Sequence, residues 1–149
     1  HSYHPCRRRT LKLAHKVLEV FLKSGSLFNN TRGPTMLSEN IFLKIISKAI
    51  PVTIIHEDSE CIAFNDINPQ APTHIIIIPK KEIKTHDDLM PEDAHLMGHL
   101  HLVATKIAKD LGLKDGYRLV INCKETGGQT VPHIHMHLFG GRNLGWPPG

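Results

Sequence analysis

The sequence predicts an α+β fold, an antiparallel sheet of about five strands with one long and one short helix. Three observations predict it. Two strand-type segments, residues 52–56 and 61–65, are joined by the polar stretch Glu57-Asp58-Ser59-Glu60, which suits an antiparallel hairpin. A run of four isoleucines, Ile75 to Ile78, marks a buried central strand. A long helical pattern over residues 91–111 separates these from a second strand pair.

Taken in order, the first element is a short helix. Phe42, Ile45, Ile46 and Ala49 recur at helical spacing, so a helix capped by Ser38 and stopped by Pro51 is expected. The hairpin follows. Pro69 and Pro72 then make residues 66–73 a loop, and His74 enters the isoleucine strand that closes at Pro79. Pro91-Glu92-Asp93 opens the long helix with acids at the positive end of its dipole. Its apolar face is Ala94, Met97, Leu100, Ala104, Ile107, Ala108 and Leu111, ending at Gly112. Residues 117–123 and 133–139 read as the last two strands, with a turn at Gly127-Gly128. No internal repeat and no low-complexity segment interrupts this order.

The last strand carries the chemistry. His133, His135 and His137 alternate with Ile134, Met136 and Leu138. In a strand the three imidazoles leave one face and the apolar side chains leave the other, with same-face neighbours roughly 6.5–7 Å apart. A neutral imidazole is both a nucleophile and a proton acceptor, and its ordinary pKa of about 6.5 leaves much of it neutral at pH 7. His135 is therefore read as a nucleophile, with His133 and His137 as assistants, and phosphorus as a plausible target of covalent catalysis.

A metal site is the competing reading. Zinc accepts a His-x-His pair, but His133 and His137 would lie roughly 13 Å apart along an extended chain, too far to converge easily on one ion. Cys6, Cys61 and Cys123 are widely spaced and form no Cys-x-x-Cys pair. On the long helix His95 and His99 are four apart, yet the His-Glu-x-x-His arrangement is missing, and solvated or partly packed histidines are the simpler reading. No metal or other cofactor is expected.

At 149 residues the chain fits one domain with one core. Its three cysteines favour a reducing compartment over a disulfide framework. Apolar runs fall far short of the roughly 20 residues needed to cross a bilayer, so no membrane association is expected. The formal charge of +4 is unevenly placed. Residues 1–32 hold seven Lys/Arg against the single acid Glu19, whereas the remainder is mildly acidic and lacks a basic stripe with interleaved aromatics. A nucleic-acid polymer is thus a poor partner. The extension, residues 1–37, sets Arg7-Arg8-Arg9 and three lysines against Leu11, Ala14, Leu18 and Phe21 at helical spacing. That pattern suits a mitochondrial or plastid transit peptide. Because the chain opens on His1 and Met36 directly precedes the first core pattern, a leader without function fits equally, and the body is expected in the cytoplasm.

The run His133-Ile-His135-Met-His137-Leu-Phe139 resembles the signature of the histidine-triad nucleotide-binding proteins. Residues 64–74, Gly127-Gly128-Gln129-Thr130-Val131 and the ending Gly140-Gly141-Arg142 with Trp146-Pro-Pro-Gly149 resemble its Hint branch. The likeness covers residues 38–149, which would form one histidine-triad domain. It implies a purine nucleoside phosphoramidate hydrolase that releases AMP or GMP from phosphoramidates or aminoacyl adenylates through a nucleotidyl-histidine intermediate. By the same resemblance His135 would attack phosphorus, His137 would contact the phosphate, and His133 and His74 would orient and tune the triad. Asp66 would hold the ribose, Ile67 would line the base pocket, and Asn122, Gly128, Gln129 and Thr130 would contact the phosphate. It further implies a homodimer with a sheet continued across the subunits and a C-terminal tail reaching the partner's site. Thr130 replaces a frequent Ser, Pro132 a frequent Tyr, and Glu82 a histidine found in some members, departures that bear on rate and leaving group. Two other functions compete: a dinucleoside polyphosphate hydrolase of the Fhit type, which the Gly-Gly-Gln-Thr segment and the Trp-Pro-Pro-Gly ending disfavour, and a non-catalytic nucleotide-binding adaptor or sensor. A zinc-binding regulator is a third.

Overall fold

The computed structural model describes residues 40–149. The basic extension and the expected Ser38 cap lie outside the described residues. Helix α1 spans Ile41–Ile46, and Asn40 is its N-cap, its Oδ1 accepting from the Phe42 and Leu43 amides at 3.1 and 3.3 Å. Asparagine caps as well as serine, and starting the helix here buries Ile41, Phe42 and Ile45 together. The helix stops well before Pro51. Lys48 takes a left-handed conformation (φ 64°), its amide returns to the Ile45 carbonyl and the Ala49 amide to the Lys44 carbonyl, which is a Schellman closure.

β1 (Ile54–Glu57) and β2 (Cys61–Asn65) form the expected hairpin. Asp58 shapes its turn, accepting from the Glu60 and Cys61 amides through Oδ1. β3 (Thr73–Pro79) lies at the centre of a five-stranded antiparallel sheet ordered β1-β2-β3-β5-β4, with β4 at Tyr117–Val120 and β5 at Met136–Gly140. Both of these last strands are shorter than the sequence predicts. β4 stops at Val120 rather than Cys123, and β5 starts at Met136 rather than His133.

Side-chain alternation divides the core into two layers. Ile75 and Ile77 of β3, Cys61 and Ala63 of β2, and Met136 and Leu138 of β5 face helix α2 (Ala94–Asp110), which buries Leu100, Val103, Ala104, Ile107 and Ala108 against them. Ile76 and Ile78, with Ile62 and Phe64, face α1 instead. A strand covered on both sides reads as an unbroken apolar run, which is why four consecutive isoleucines serve here. Full burial of each is worth about 1.5–3 kcal/mol. Leu111, expected on the apolar face of α2, is its exposed C-cap residue. Among the described residues no helix is long and apolar enough to cross a membrane.

Candidate active site

Only His137 of the three alternating histidines lies in the regular ladder, opposite Ile76 of β3 and Val120 of β4. The preceding residues leave it for local reasons. Pro132 has no amide hydrogen to give, the His133 amide bonds back to the Val131 carbonyl (2.8 Å), and the Ile134 amide goes to Ile83 in the loop after β3 (2.7 Å). Alternation survives without the ladder. Ile134, Met136 and Leu138 are buried, while His135, His137 and Phe139 form a row of rings with centroids 5.0 and 5.5 Å apart. His74 joins this row from β3, 5.2 Å from His137 and 4.2 Å from Phe139.

His133 does not stand as a second assistant beside His135. Its ring is fully buried and meets the edge of Phe42, with Nε2 on the Pro79 carbonyl (2.8 Å) and Nδ1 on the Asn40 carboxamide (3.0 Å). Its backbone carbonyl is what serves His135, accepting a hydrogen bond from Nδ1 at 2.7 Å.

Backbone partners have fixed roles, so they assign the tautomers. Pro79 offers only a carbonyl, so His133 donates from Nε2 and accepts the Asn40 N–H at Nδ1. His135 donates from Nδ1, which leaves the Nε2 lone pair uncommitted. The Gln70 amide donates to His74 Nδ1 (3.1 Å), so His74 carries its proton on Nε2 and donates to His137 Nδ1 (2.9 Å). His137 then carries its proton on Nε2. The pair His135 and His137 thus presents one nitrogen lone pair and one N–H from adjacent rings.

Burial lowers the pKa of all four histidines. His74 is drawn down by burial against the opposing charge of Asp66, and His133 by burial against its bond to Pro79. His135 is lowered by burial against its bond to the His133 carbonyl. His137 is pushed down to about 4 by burial and by the neighbouring His135 and His74. Near pH 7 the cluster is therefore neutral, as a nucleophilic imidazole requires.

Asp66, at the end of β2, accepts the Asn68 amide at Oδ1 (2.8 Å) and places Oδ2 3.4 Å from His74 Nε2. Its carboxylate thus lies beside the triad, at His74. Asp66, His74 and His137 have ligand atoms within 4.8 Å of one another, enough to hold an ion, although the hydrogen bonds among them account for that closeness. Ile67 packs against the α1-side core cluster.

The expected phosphate-contacting residues lie in the connection from β4 to β5. Gly128 adopts φ 87°, and its carbonyl accepts from Asn122 Nδ2 at 3.5 Å. Gln129 is committed to the loop itself: Nε2 donates to the Lys84 and Val131 carbonyls (2.6 and 2.9 Å), and Oε1 accepts the Lys124 amide (2.9 Å). A phosphate contact from this side chain requires giving up one of those bonds. Thr130 is exposed at the end of the same loop.

Sequence reasoning missed Asn40 and Phe42 as site residues. Phe42 sits edge-on to His135 with centroids 4.9 Å apart, and Asn40 reaches His133 across 93 positions. Both read locally as a cap and a core position of a short helix, which they also are.

The family model for the HIT domain matches residues 47–144. The chain belongs to the HIT domain family. This HIT protein is 51% identical over 114 residues to an uncharacterised HIT-like protein of Synechocystis sp., a match covering 76% of the chain and all of the relative. A second HIT-like protein, from Synechococcus elongatus, shows the same identity and coverage. Among solved structures, a HIT family hydrolase from Legionella pneumophila is 49% identical with a TM-score of 0.73, covering 74% of this chain and 100% of its own. Another HIT family hydrolase, from Clostridium thermocellum, is 44% identical with a TM-score of 0.69, covering 74% of this chain and 96% of its own.

Proposed function

We propose that this HIT protein is a purine nucleoside phosphoramidate hydrolase of the Hint branch, working through a nucleotide covalently bound to His135. The observation that carries the proposal is the Nδ1–H of His135 fixed on the His133 carbonyl, which aims an uncommitted Nε2 lone pair out of the same row as the His137 N–H. Nε2 attacks the α-phosphorus, the P–N bond breaks with its electrons on nitrogen, and that nitrogen takes up a proton from solvent to leave as the free amine. The His135 ring, now cationic, keeps its Nδ1–H on the carbonyl oxygen, which stabilises the developing charge. Water then attacks the same phosphorus and releases a proton to solvent, the bond to Nε2 breaks with its electrons returning to that nitrogen, and AMP or GMP departs as His135 regains its neutral form. Asp66 can accept both ribose hydroxyls. The Gly-Gly-Gln-Thr loop and the Trp-Pro-Pro-Gly ending favour this branch over a dinucleoside polyphosphate hydrolase.

A homodimer belongs to the same reading. β4 is an edge of the sheet with Tyr117 exposed on it, and Arg118 donates to the Leu144 and Gly145 carbonyls, holding the tail along that edge. Trp146 beyond it is 84% exposed, which suits a tail that completes a partner's site.

Acid-quenched mass spectrometry with adenosine phosphoramidate tests the proposal. An adenylyl adduct on His135, lost in His135→Ala, is expected. Binding without turnover and without adduct would establish an adaptor instead, and faster turnover of diadenosine polyphosphates would establish the other hydrolase.

A further inference from the structure

On the opposite face of the sheet from His135, tertiary packing gathers a second set of polar side chains. His56 ends its ring at Asp58 Oδ2 from β1, with Nε2 at 2.7 Å. His99 reaches the same oxygen from α2, also through Nε2 at 2.7 Å. Cys61, the first residue of β2, places Sγ 3.5 Å from it. The β1–β2 hairpin and the distant helix α2 thus converge on one carboxylate oxygen.

That oxygen is oversubscribed. Each carboxylate oxygen offers about two lone pairs, and Oδ2 faces three donors while Oδ1 already accepts the Glu60 and Cys61 amides. Turned about, the same atoms form a donor set of two imidazole nitrogens, one carboxylate oxygen and one sulfur. Ligand atoms of His56, Asp58 and Cys61 lie within 4.8 Å of one another, while His99, joined to them through Asp58 Oδ2, stands outside that group of three.

We propose that His56, Asp58, Cys61 and His99 form a binding site for a divalent transition metal ion, with zinc as the best match. The donor set is a mixture of nitrogen, oxygen and sulfur that zinc accepts in tetrahedral geometry, at about 2.0–2.1 Å to nitrogen and oxygen and about 2.3 Å to sulfur. Those bond lengths require a sulfur–oxygen edge of about 3.5 Å, which matches the present spacing, and nitrogen–oxygen edges of about 3.3 Å. Roughly half an ångström of outward movement by each imidazole supplies the latter, and the His99 ring must also swing towards His56 and Cys61 to complete the tetrahedron. Access exists. Cys61 is fully buried at the inner end, while the side chains of His56, Asp58 and His99 are 19%, 27% and 27% exposed and open the outer end to solvent. Glu60, whose carboxylate lies 3.7 Å from His99 Nε2, adds negative charge at that mouth.

Protons must move for the ion to enter. Cys61 loses its thiol proton to solvent and binds as thiolate, and each histidine shifts its proton from Nε2 to Nδ1 so that the Nε2 lone pair faces the metal. The bound ion would then clamp α2 to the β1–β2 hairpin. Sequence spacing could not show this site, because Cys61 has no cysteine partner nearby and His99 is distant from it in the chain. It is independent of the nucleotide chemistry proposed above.

The experiment uses the full chain without a histidine tag, stripped with chelator and titrated with zinc alone and then cobalt alone. The expected result is one zinc per chain, a raised melting temperature, and for cobalt the visible bands of a tetrahedral ion with a thiolate charge-transfer band. His99→Gln should weaken zinc binding more than about 100-fold, beyond the effect of losing an outer-sphere partner, while leaving turnover of the metal-free enzyme unchanged. Cys61→Ser should abolish the thiolate band. Should Cys61→Ser fail to fold, the wild-type cobalt spectrum and His99→Gln decide alone. A cobalt spectrum without thiolate character overturns the proposal. So does zinc binding that survives His99→Gln but is lost in His137→Gln, which would place the ion among the active-site histidines.

Discussion

The Nδ1–H of His135 is held on the backbone carbonyl of His133 at 2.7 Å, so the orientation of the His135 ring depends on a neighbour's main chain rather than on that neighbour's ring. The ring of His133 has another task, bridging the Pro79 carbonyl and Asn40 beneath the site. Removing it separates the two roles. His133→Ala should cost about 2–4 kcal/mol of stability through a cavity and an unpaired buried carbonyl, yet still form the adenylyl adduct on His135. Urea denaturation and the acid-quench assay together check this. A stable variant that forms no adduct would contradict the assignment.

Asn40 both caps α1 and donates to His133. Asn40→Ala should destabilise by about 1–3 kcal/mol, combining a lost cap with a lost partner for a buried nitrogen. Asn40→Asp should restore the cap but not the donor, so its melting temperature should fall between those of wild type and the alanine variant, with kcat lowered in both.

The loop at Gly127 leaves no room for a side chain. A Cβ there would lie 2.4 Å from the Cys123 carbonyl oxygen, a backbone atom that cannot move aside alone, whereas one on Gly145 meets nothing within 4 Å. Gly127→Ala should therefore cost about 1–3 kcal/mol and raise KM by displacing the loop that carries Gln129 and Thr130. Gly145→Ala should match wild type in both measurements.

Acid should weaken the fold before it protonates the triad. In the unfolded chain a histidine titrates near pH 6.5, but burial, with its neighbours His135 and His74, holds His137 down at about 4. As pH falls below 6.5 the unfolded chain gains protons that the folded rings refuse, so stability is complete above 6.5 and is lost progressively towards pH 4. The urea midpoint should drop between pH 7.5 and 5, and less so in His137→Gln. For the same reason the acid limb of kcat/KM should lie below 6.5 with His135 as the proposed nucleophile, since burial lowers the pKa of its ring.

Much of this protein is written in short stretches of chain. Alternating hydrophobicity fixed the sheet and its faces, so His135 and His137 are placed opposite Met136 and Leu138 even where the ladder is missing, and β3 is central because it is apolar on both sides. The triad motif and Asp66 were likewise legible, being contiguous or near a strand end. Helix limits were less so, because Asn40 and the left-handed Lys48 compete on equal terms with Ser38 and Pro51 for the same roles. Other features arise only when the sheet closes. Asn40 meets His133, His74 hands its hydrogen to His137, and His99 reaches Asp58, each across dozens of residues. Periodicity reports which face a side chain takes, but hydrogen-bond partners depend on strand register and helix placement, and those are set by packing across the whole core.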